Sequence, residues 1–151
     1  VPVLLCDPIR GGAAAIHAGW RGTCARIAPA AIDLMRREFG TDPRDLVAAI
    51  GPSVGPDDYE VGESLVTAFL EAGHPQAVVD KWFRRGATKP HLDLWTANTD
   101  QMVQAGINAG RISRCGLSTV SHPDVFDSYR VAGENAGRMA GLIVVRGGPD
   151  S

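Results

Sequence analysis

The hydrophobic pattern of this chain changes period early, and that change limits the folds open to it. Residues 1–6 and 13–18 are short apolar runs typical of buried strands, joined by a turn-rich segment at 7–12. Over residues 23–39 the apolar positions recur at helical spacing, and Gly40 supplies a stop. Because strands and helices mix without a strict β-α-β alternation, we predict an α+β fold rather than a doubly wound parallel sheet.

The rest of the chain predicts six further elements. Helices are expected at 63–72 and 95–109, and strands at 46–50, 91–94, within 111–119 and at 140–145. The stretch 51–56 contains two prolines and two glycines, which excludes regular structure there. The tail 147–151 is expected to fray.

The length and composition of the chain indicate one globular domain. The chain has 151 residues, 44% of them hydrophobic and 21% charged, which excludes a disordered segment and a coiled coil. Fifteen Lys and Arg against 17 Asp and Glu give a net charge of -2, so the chain has no basic surplus with which to bind nucleic acid. The apolar stretches are too short to span a bilayer, so no membrane partner is expected.

The cysteines indicate the cellular compartment of the protein, and the first residues indicate whether the chain is a fragment. Cys6, Cys24 and Cys115 are odd in number and widely spaced, so they predict no disulfide framework and suit the reducing cytoplasm. No signal peptide is visible. Because the chain opens inside an apolar strand without an initiator Met, we expect it to be the C-terminal part of a domain truncated at its N-terminus.

The segment His17-Ala18-Gly19-Trp20-Arg21-Gly22 ends a predicted strand and opens a predicted helix. Small residues around a His and an Arg let a ligand approach the backbone, and a helix N-terminus favours an anion. The alternative is a core histidine bonded to backbone, with Arg21 in a structural ion pair. The spacing alone does not decide between them.

Three carboxylates, Asp57, Asp58 and Glu60, follow the rigid loop 51–56. Acid–base chemistry or a metal is conceivable there, since adjacent carboxylates raise one another's pKa. A solvated loop in which Asp58 or Glu60 caps the next helix is the favoured interpretation. No glycine-rich phosphate-binding motif occurs in the chain.

Three further polar residues are candidates for a functional or a structural role. Asp93 ends a predicted strand, and we favour helix capping over catalysis for it. Arg130 and Arg138 lie near glycines, where a guanidinium could hold phosphate or carboxylate, although salt bridging is the usual role. His74 and His122 precede prolines and are expected on the surface. The residues alone therefore predict a soluble α+β domain with an anion or metal site near His17.

Several segments together resemble the laccase-domain family, whose members are also called multicopper polyphenol oxidases and are now mostly described as purine nucleoside phosphorylases. The matching segments, in order, are His17-Ala-Gly-Trp-Arg-Gly22, Gly51-Pro-Ser-Val-Gly-Pro56, Tyr59-Glu60-Val61-Gly62, Leu92-Asp93-Leu94 with Asn98 and Gln101, Ser128-Tyr129-Arg130, and Gly137-Arg138-Met139. They cover almost the whole chain, and the first of them is the most specific.

The resemblance implies a single domain of layered mixed β-sheets flanked by helices, of α/β/β/α type. It also implies a metal site, usually zinc, formed by two histidines and one cysteine. His17 matches the second histidine, whereas the other two ligands belong upstream of Val1. Cys6 matches a cysteine that is not a ligand. Asp57, Asp58, Ser118-Thr119 and Val131 depart from residues common in the family, so no role is transferred to them.

The function implied is a zinc-dependent purine nucleoside phosphorylase with adenosine deaminase activity, acting on adenosine, inosine, guanosine or methylthioadenosine. Its partners would be a purine nucleoside and phosphate. His17 and Arg21 are the predicted catalytic residues, and Arg130 and Arg138 are predicted to bind substrate, because bidentate arginines hold phosphate well. The alternatives are a copper-dependent polyphenol oxidase, a hydrolase that edits peptidoglycan precursors, and an inactive scaffold fragment. Four scattered histidines argue against a multicopper centre.

Overall fold

A computed structural model describes residues 1–85 and 87–146, and the predicted fraying tail 147–151 lies outside them. These residues form a mixed α+β domain with two sheets and six α-helices, which confirms the predicted fold class. In that part of the chain, no helix combines the length and the apolar character needed to cross a membrane.

The main sheet has four strands in the order β2-β1-β3-β6. The strands are β1 (Pro2–Asp7), β2 (Gly12–His17), β3 (Val47–Ile50) and β6 (Ile112–Arg114). β1 pairs antiparallel with both β2 and β3, whereas β3 and β6 are parallel. Alternate residues of β1 point to opposite faces, so Val3 and Leu5 are buried while their neighbours are half-buried. The first two predicted strands are therefore confirmed.

Two helices cover the buried face of this sheet. They are α2 (Ile27–Phe39) and α5 (Leu94–Gln104), and their side chains pack with the strands in one apolar cluster. The largest members of that cluster are Leu5, Ile32, Met35, Leu46, Ile50 and Met102. Burying each such side chain contributes about 1.5–3 kcal/mol, so this layer holds the fold together.

The helix predicted at 23–39 is wrong in its first part. The structure has instead a short helix α1 (Trp20–Cys24), a break, and then α2. Arg26 stands at the break with a left-handed backbone (φ 57°), and its guanidinium donates hydrogen bonds to the carbonyl oxygens of Ala72 and Gly73. Because these partners are 46 and 47 residues away, the local pattern does not reveal the break.

A second apolar cluster packs around α3 (Glu63–Glu71), α4 (Gln76–Trp82) and the hairpin of β4 (Phe83–Arg85) and β5 (Pro90–Leu92). The sequence pattern predicts neither α4 nor β4. His74 corrects another expectation: it is only 5% exposed, lies among Phe69 and Trp82, and hydrogen-bonds the Cys24 carbonyl oxygen.

The cap of α5 is as predicted. Asp93 accepts hydrogen bonds from the Thr96 amide and hydroxyl, which confirms it as the cap of α5.

The strand predicted at 140–145 is wrong. That segment follows the short helix α6 (Tyr129–Ala132) and has no regular structure, and Leu142 and Val144 are about four-fifths exposed (82% and 80%). An apolar run forms a strand only where a sheet edge pairs with it.

Candidate functional site

The segment from His17 to Gly22 forms the corner between β2 and α1. β2 ends at His17 and α1 begins at Trp20, as the sequence predicts. His17 is exposed, which contradicts the alternative of a core histidine. Its Nε2 atom would lie 3.2 Å from a Cβ at Gly19, tighter than most such contacts, so the glycine leaves room for the imidazole.

A buried polar network fixes this corner to α5. The Thr23 hydroxyl donates to the Ala18 carbonyl oxygen (3.2 Å) and accepts from the Asn98 amide (3.0 Å). The Gln101 amide donates to the Thr23 carbonyl oxygen (2.8 Å). Thr23 and Asn98 are completely buried, so these bonds form in a low-dielectric environment and hold α1 in one orientation.

A cleft of about 280 Å³ opens beside the start of α1. This volume is close to the lower limit of small-molecule sites, about 300 Å³. Its wall combines two aromatic rings, aliphatic side chains and three charged groups, contributed by Trp20, Tyr59, Glu60, Val61, Gly62, Leu65, Lys89 and Arg130. These residues come from four parts of the chain, at positions 20, 59–65, 89 and 130.

Two guanidinium groups flank the aromatic rings of the cleft. The Arg21 Cζ atom lies 4.3 Å from the centre of the Trp20 ring, and the Arg130 Cζ atom lies 5.2 Å from that of Tyr59. Arg130 also donates a hydrogen bond to the Glu60 carbonyl oxygen. Burial raises the pKa of the Tyr59 phenol, and the positive charges of Arg130 and Arg21 oppose that rise. Both arginines therefore influence Tyr59 electrostatically. A cation–π contact does not use the N–H groups of a guanidinium, so these remain available to a ligand.

The carboxylate of Glu60, the acidic residue of the cleft, is contacted by two side chains between β4 and β5. Lys89 Nζ lies 3.5 Å from one Glu60 carboxylate oxygen, and the Thr88 hydroxyl lies 3.4 Å from the other. The Glu60 backbone bridges to His91, and the adjoining bonds join Val61 to Pro90 and Leu92 to Tyr59, so this wall continues the hairpin as a third strand-like segment. The cleft thus has a rigid wall on this side.

The other predicted site residues lie elsewhere. Arg138 donates to the carbonyl oxygens of Ala136 and Gly137 within its own segment and does not line the cleft. Asp57 pairs with Arg84 at 2.9 Å. Asp58 does not cap a helix, because the cap position of α3 is Gly62, which provides no side-chain bond.

Asp58 instead links two loops. Its Oδ2 accepts hydrogen bonds from the hydroxyls of Ser118 (2.5 Å) and Ser121 (2.6 Å), and the Ser118 hydroxyl also accepts from the Gly55 amide (3.0 Å). These hydroxyl bonds hold the pKa of the Asp58 carboxyl below its ordinary value. His122, which the sequence places on the surface, is half-buried beside this link and bonds the Ser118 carbonyl oxygen.

The lowered pKa of Asp58 predicts a specific acid sensitivity. A carboxylate whose pKa is lowered on folding stabilises the fold above its unfolded pKa of about 3.9, and that contribution disappears as pH falls through the folded pKa. Asp58→Asn should therefore flatten the fall in melting temperature between about pH 5 and pH 2. Asp33→Asn, at an exposed position of α2, is the matched control. An unchanged acid slope in Asp58→Asn would contradict this role.

The described residues do not by themselves form a metal centre. No group of three or more His, Cys, Asp or Glu within residues 1–85 and 87–146 is placed to hold an ion. Catalytic zinc uses about three protein ligands with an open fourth position, whereas this corner offers one imidazole, that of His17. His17 could thus supply a single ligand.

Of the residues that the sequence predicts, Arg130 lines the cleft and Arg21 lies over the ring of Trp20, while the other lining residues are not predicted. Trp20 and Tyr59 lie in the segments that resemble the family, and their sequence signal is that each is an aromatic residue in such a segment. Lys89 carries no signal in the sequence, because only the hairpin brings it to Glu60.

Comparison with known proteins identifies the family. The model of the family described as "Multi-copper polyphenol oxidoreductase laccase" matches residues 1–146. The chain therefore belongs to this family. As the resemblance predicts, its relatives carry nucleoside-enzyme names.

Among these relatives, a "Purine nucleoside phosphorylase" from Bacteroides thetaiotaomicron is 40% identical over 96% of this chain and 53% of its own length. "Adenosine deaminase RL5" from an unknown prokaryotic organism is 41% identical over 91% of this chain and 52% of its own length. Among solved structures, the Bacillus licheniformis hypothetical protein YfiH has a TM-score of 0.78 and 33% identity, covering 85% of this chain and 48% of its own. The chain spans about half the length of the curated relatives it matches.

Proposed function

We propose that the protein containing this chain is a purine nucleoside phosphorylase that also deaminates adenosine. The observation that carries the proposal is the cleft lined by Trp20, Tyr59 and Arg130, with the Arg21 guanidinium over the Trp20 ring. The names of the relatives agree with it: the Bacteroides thetaiotaomicron protein is called purine nucleoside phosphorylase, and the RL5 protein is called adenosine deaminase.

The two kinds of side chain suit the two reactants. A purine is a flat aromatic group that stacks on rings such as those of Trp20 and Tyr59. Phosphate is a dianion that arginine binds with a planar pair of donors, and the exposed Arg21 has such donors to offer. Holding both reactants together converts a bimolecular reaction into an effectively unimolecular one.

In phosphorolysis a phosphate oxygen bonds the anomeric carbon of the ribose while the bond to the purine nitrogen breaks. The electrons of that bond leave with the base, which takes up a proton. Arg21 and Arg130 would neutralise the phosphate as it approaches, and the aromatic wall would hold the purine that departs. Adenosine, inosine, guanosine and methylthioadenosine share this reacting bond and are the proposed substrates.

We propose further that His17 supplies one ligand to a zinc ion whose other protein ligands are not among the described residues. When bound, such an ion supplies Lewis-acid chemistry. The measurement is the zinc content of the full-length protein and of its His17→Ala variant after dialysis. Equal stoichiometric zinc in both would contradict the assignment of His17.

The activity test follows release of the base from inosine and adenosine with and without phosphate. We expect phosphate-dependent release of hypoxanthine from inosine, and release of ammonia from adenosine. Parallel reactions with added zinc, with added copper, and with a phenol as substrate test the oxidase alternative. Copper-dependent oxidation of the phenol without any nucleoside turnover would overturn the proposal.

A further inference from the structure

We propose that a second cleft, lined by Pro56, Asp57, Arg84, Arg85 and His91, binds a phosphate or phosphomonoester dianion. It has a volume of about 210 Å³ and shares no lining residue with the candidate nucleoside cleft, so the two clefts are separate. The proposal does not depend on the proposed function.

Strand register places Arg84 and His91 of this cleft side by side. In the β4–β5 hairpin, Arg84 is directly opposite His91, and Phe83 is directly opposite Leu92. Directly opposed residues of an antiparallel pair project to the same face. Because Phe83 and Leu92 are buried in the core, Arg84 and His91 belong to the outer face, where a soluble ligand can reach them.

The cleft offers more donors than its own carboxylate uses. Asp57 accepts one hydrogen bond from the Arg84 guanidinium, through Nη2, although a guanidinium has five N–H donors. Within residues 1–85 and 87–146, the neighbouring Arg85 makes no ion pair. Arg84 and Arg85 both line the cleft against one carboxylate, so its net charge is positive. The free N–H donors of Arg84, next to His91 on the outer face, match the oxygens of a phosphate.

The existing ion pair is weak enough for a ligand to replace. Asp57 is 88% exposed and Arg84 is 50% exposed, so water screens their attraction. A phosphate dianion brings twice the charge of the carboxylate and more acceptor atoms. Pro56 limits the motion of the loop that carries Asp57, which keeps the wall of the cleft in place.

The test is an NMR titration of the full-length protein with inorganic phosphate or with glycerol phosphate, following the imidazole resonances. We expect a saturable shift of the His91 resonance and a fixed resonance for the buried His74. The ligand with the lower dissociation constant shows whether the cleft prefers free phosphate or a phosphomonoester. Chloride at equal ionic strength should leave His91 unmoved, and an equal shift with chloride would overturn the proposal.

Three variants locate the binding. Arg84→Gln combined with Arg85→Gln should weaken binding at least tenfold, whereas Arg37→Gln at an exposed position of α2 should not change it. Asp57→Asn should tighten binding, because it removes the competing carboxylate. Melting temperatures establish that each variant is folded. A His91 shift that persists in the double variant, or a weaker affinity in Asp57→Asn, would overturn the proposal.

Discussion

Replacing Arg21 by lysine should lower kcat/KM for nucleoside phosphorolysis about 100-fold, equivalent to about 2.7 kcal/mol of transition-state stabilisation. Lysine keeps the charge but loses the planar pair of donors and the stacking on Trp20, whose ring centre lies 4.3 Å from the guanidinium carbon. Because Arg21 is exposed, the melting temperature should change by no more than about 2 °C.

The matched control for Arg21→Lys is Arg37→Lys, an exposed arginine on α2 outside the cleft. It should leave both kcat/KM and melting temperature at their wild-type values. An unchanged kcat/KM together with a lowered melting temperature in Arg21→Lys would show that Arg21 has only a structural role.

Replacing Thr23 by valine should lower the free energy of unfolding by about 2 kcal/mol. Valine has nearly the same shape but no hydroxyl, so the Ala18 carbonyl oxygen and the Asn98 amide each lose a partner in a completely buried place. Because this network orients α1, kcat should fall as well. Chemical denaturation followed by circular dichroism gives the free energy, and initial rates give kcat.

Thr99→Val is the control for Thr23→Val. Its hydroxyl bonds the Trp95 carbonyl oxygen, four residues earlier on the same helix, at a half-buried position. Such a bond adds little to the stability of a helix, so Thr99→Val should lower the free energy of unfolding by less than about 1 kcal/mol. A Thr23→Val protein as stable as the wild type would contradict the role of the network.

Residues close together in the sequence explain the predictions that were confirmed. The period of two in β1 and the capping of α5 by Asp93 depend on residues one to three positions apart, which a local pattern contains. The corner from His17 to Trp20 was also visible, because a strand-like run passes there into small residues and a helix. For the same reason the α+β class could be predicted.

The failures share a different cause. The break at Arg26 depends on carbonyl oxygens of residues 72 and 73, and the role of Asp58 depends on hydroxyls of Ser118 and Ser121. The run 140–145 has the composition of a strand, but the described chain provides no sheet partner for it. In each case the outcome depends on whether residues far away in the sequence provide a partner.

The sequence by itself thus determined the α+β class, the first two strands, the cap of α5 and the segments that resemble the family, including the arginines at positions 21 and 130. The tertiary structure alone decided that Trp20, Tyr59, Lys89 and Arg130 surround one cleft and that Arg138 does not. The physical reason is that hydrophobic period and capping act within a few residues. The cleft depends instead on which buried faces pack together, and that packing is set by the fold as a whole.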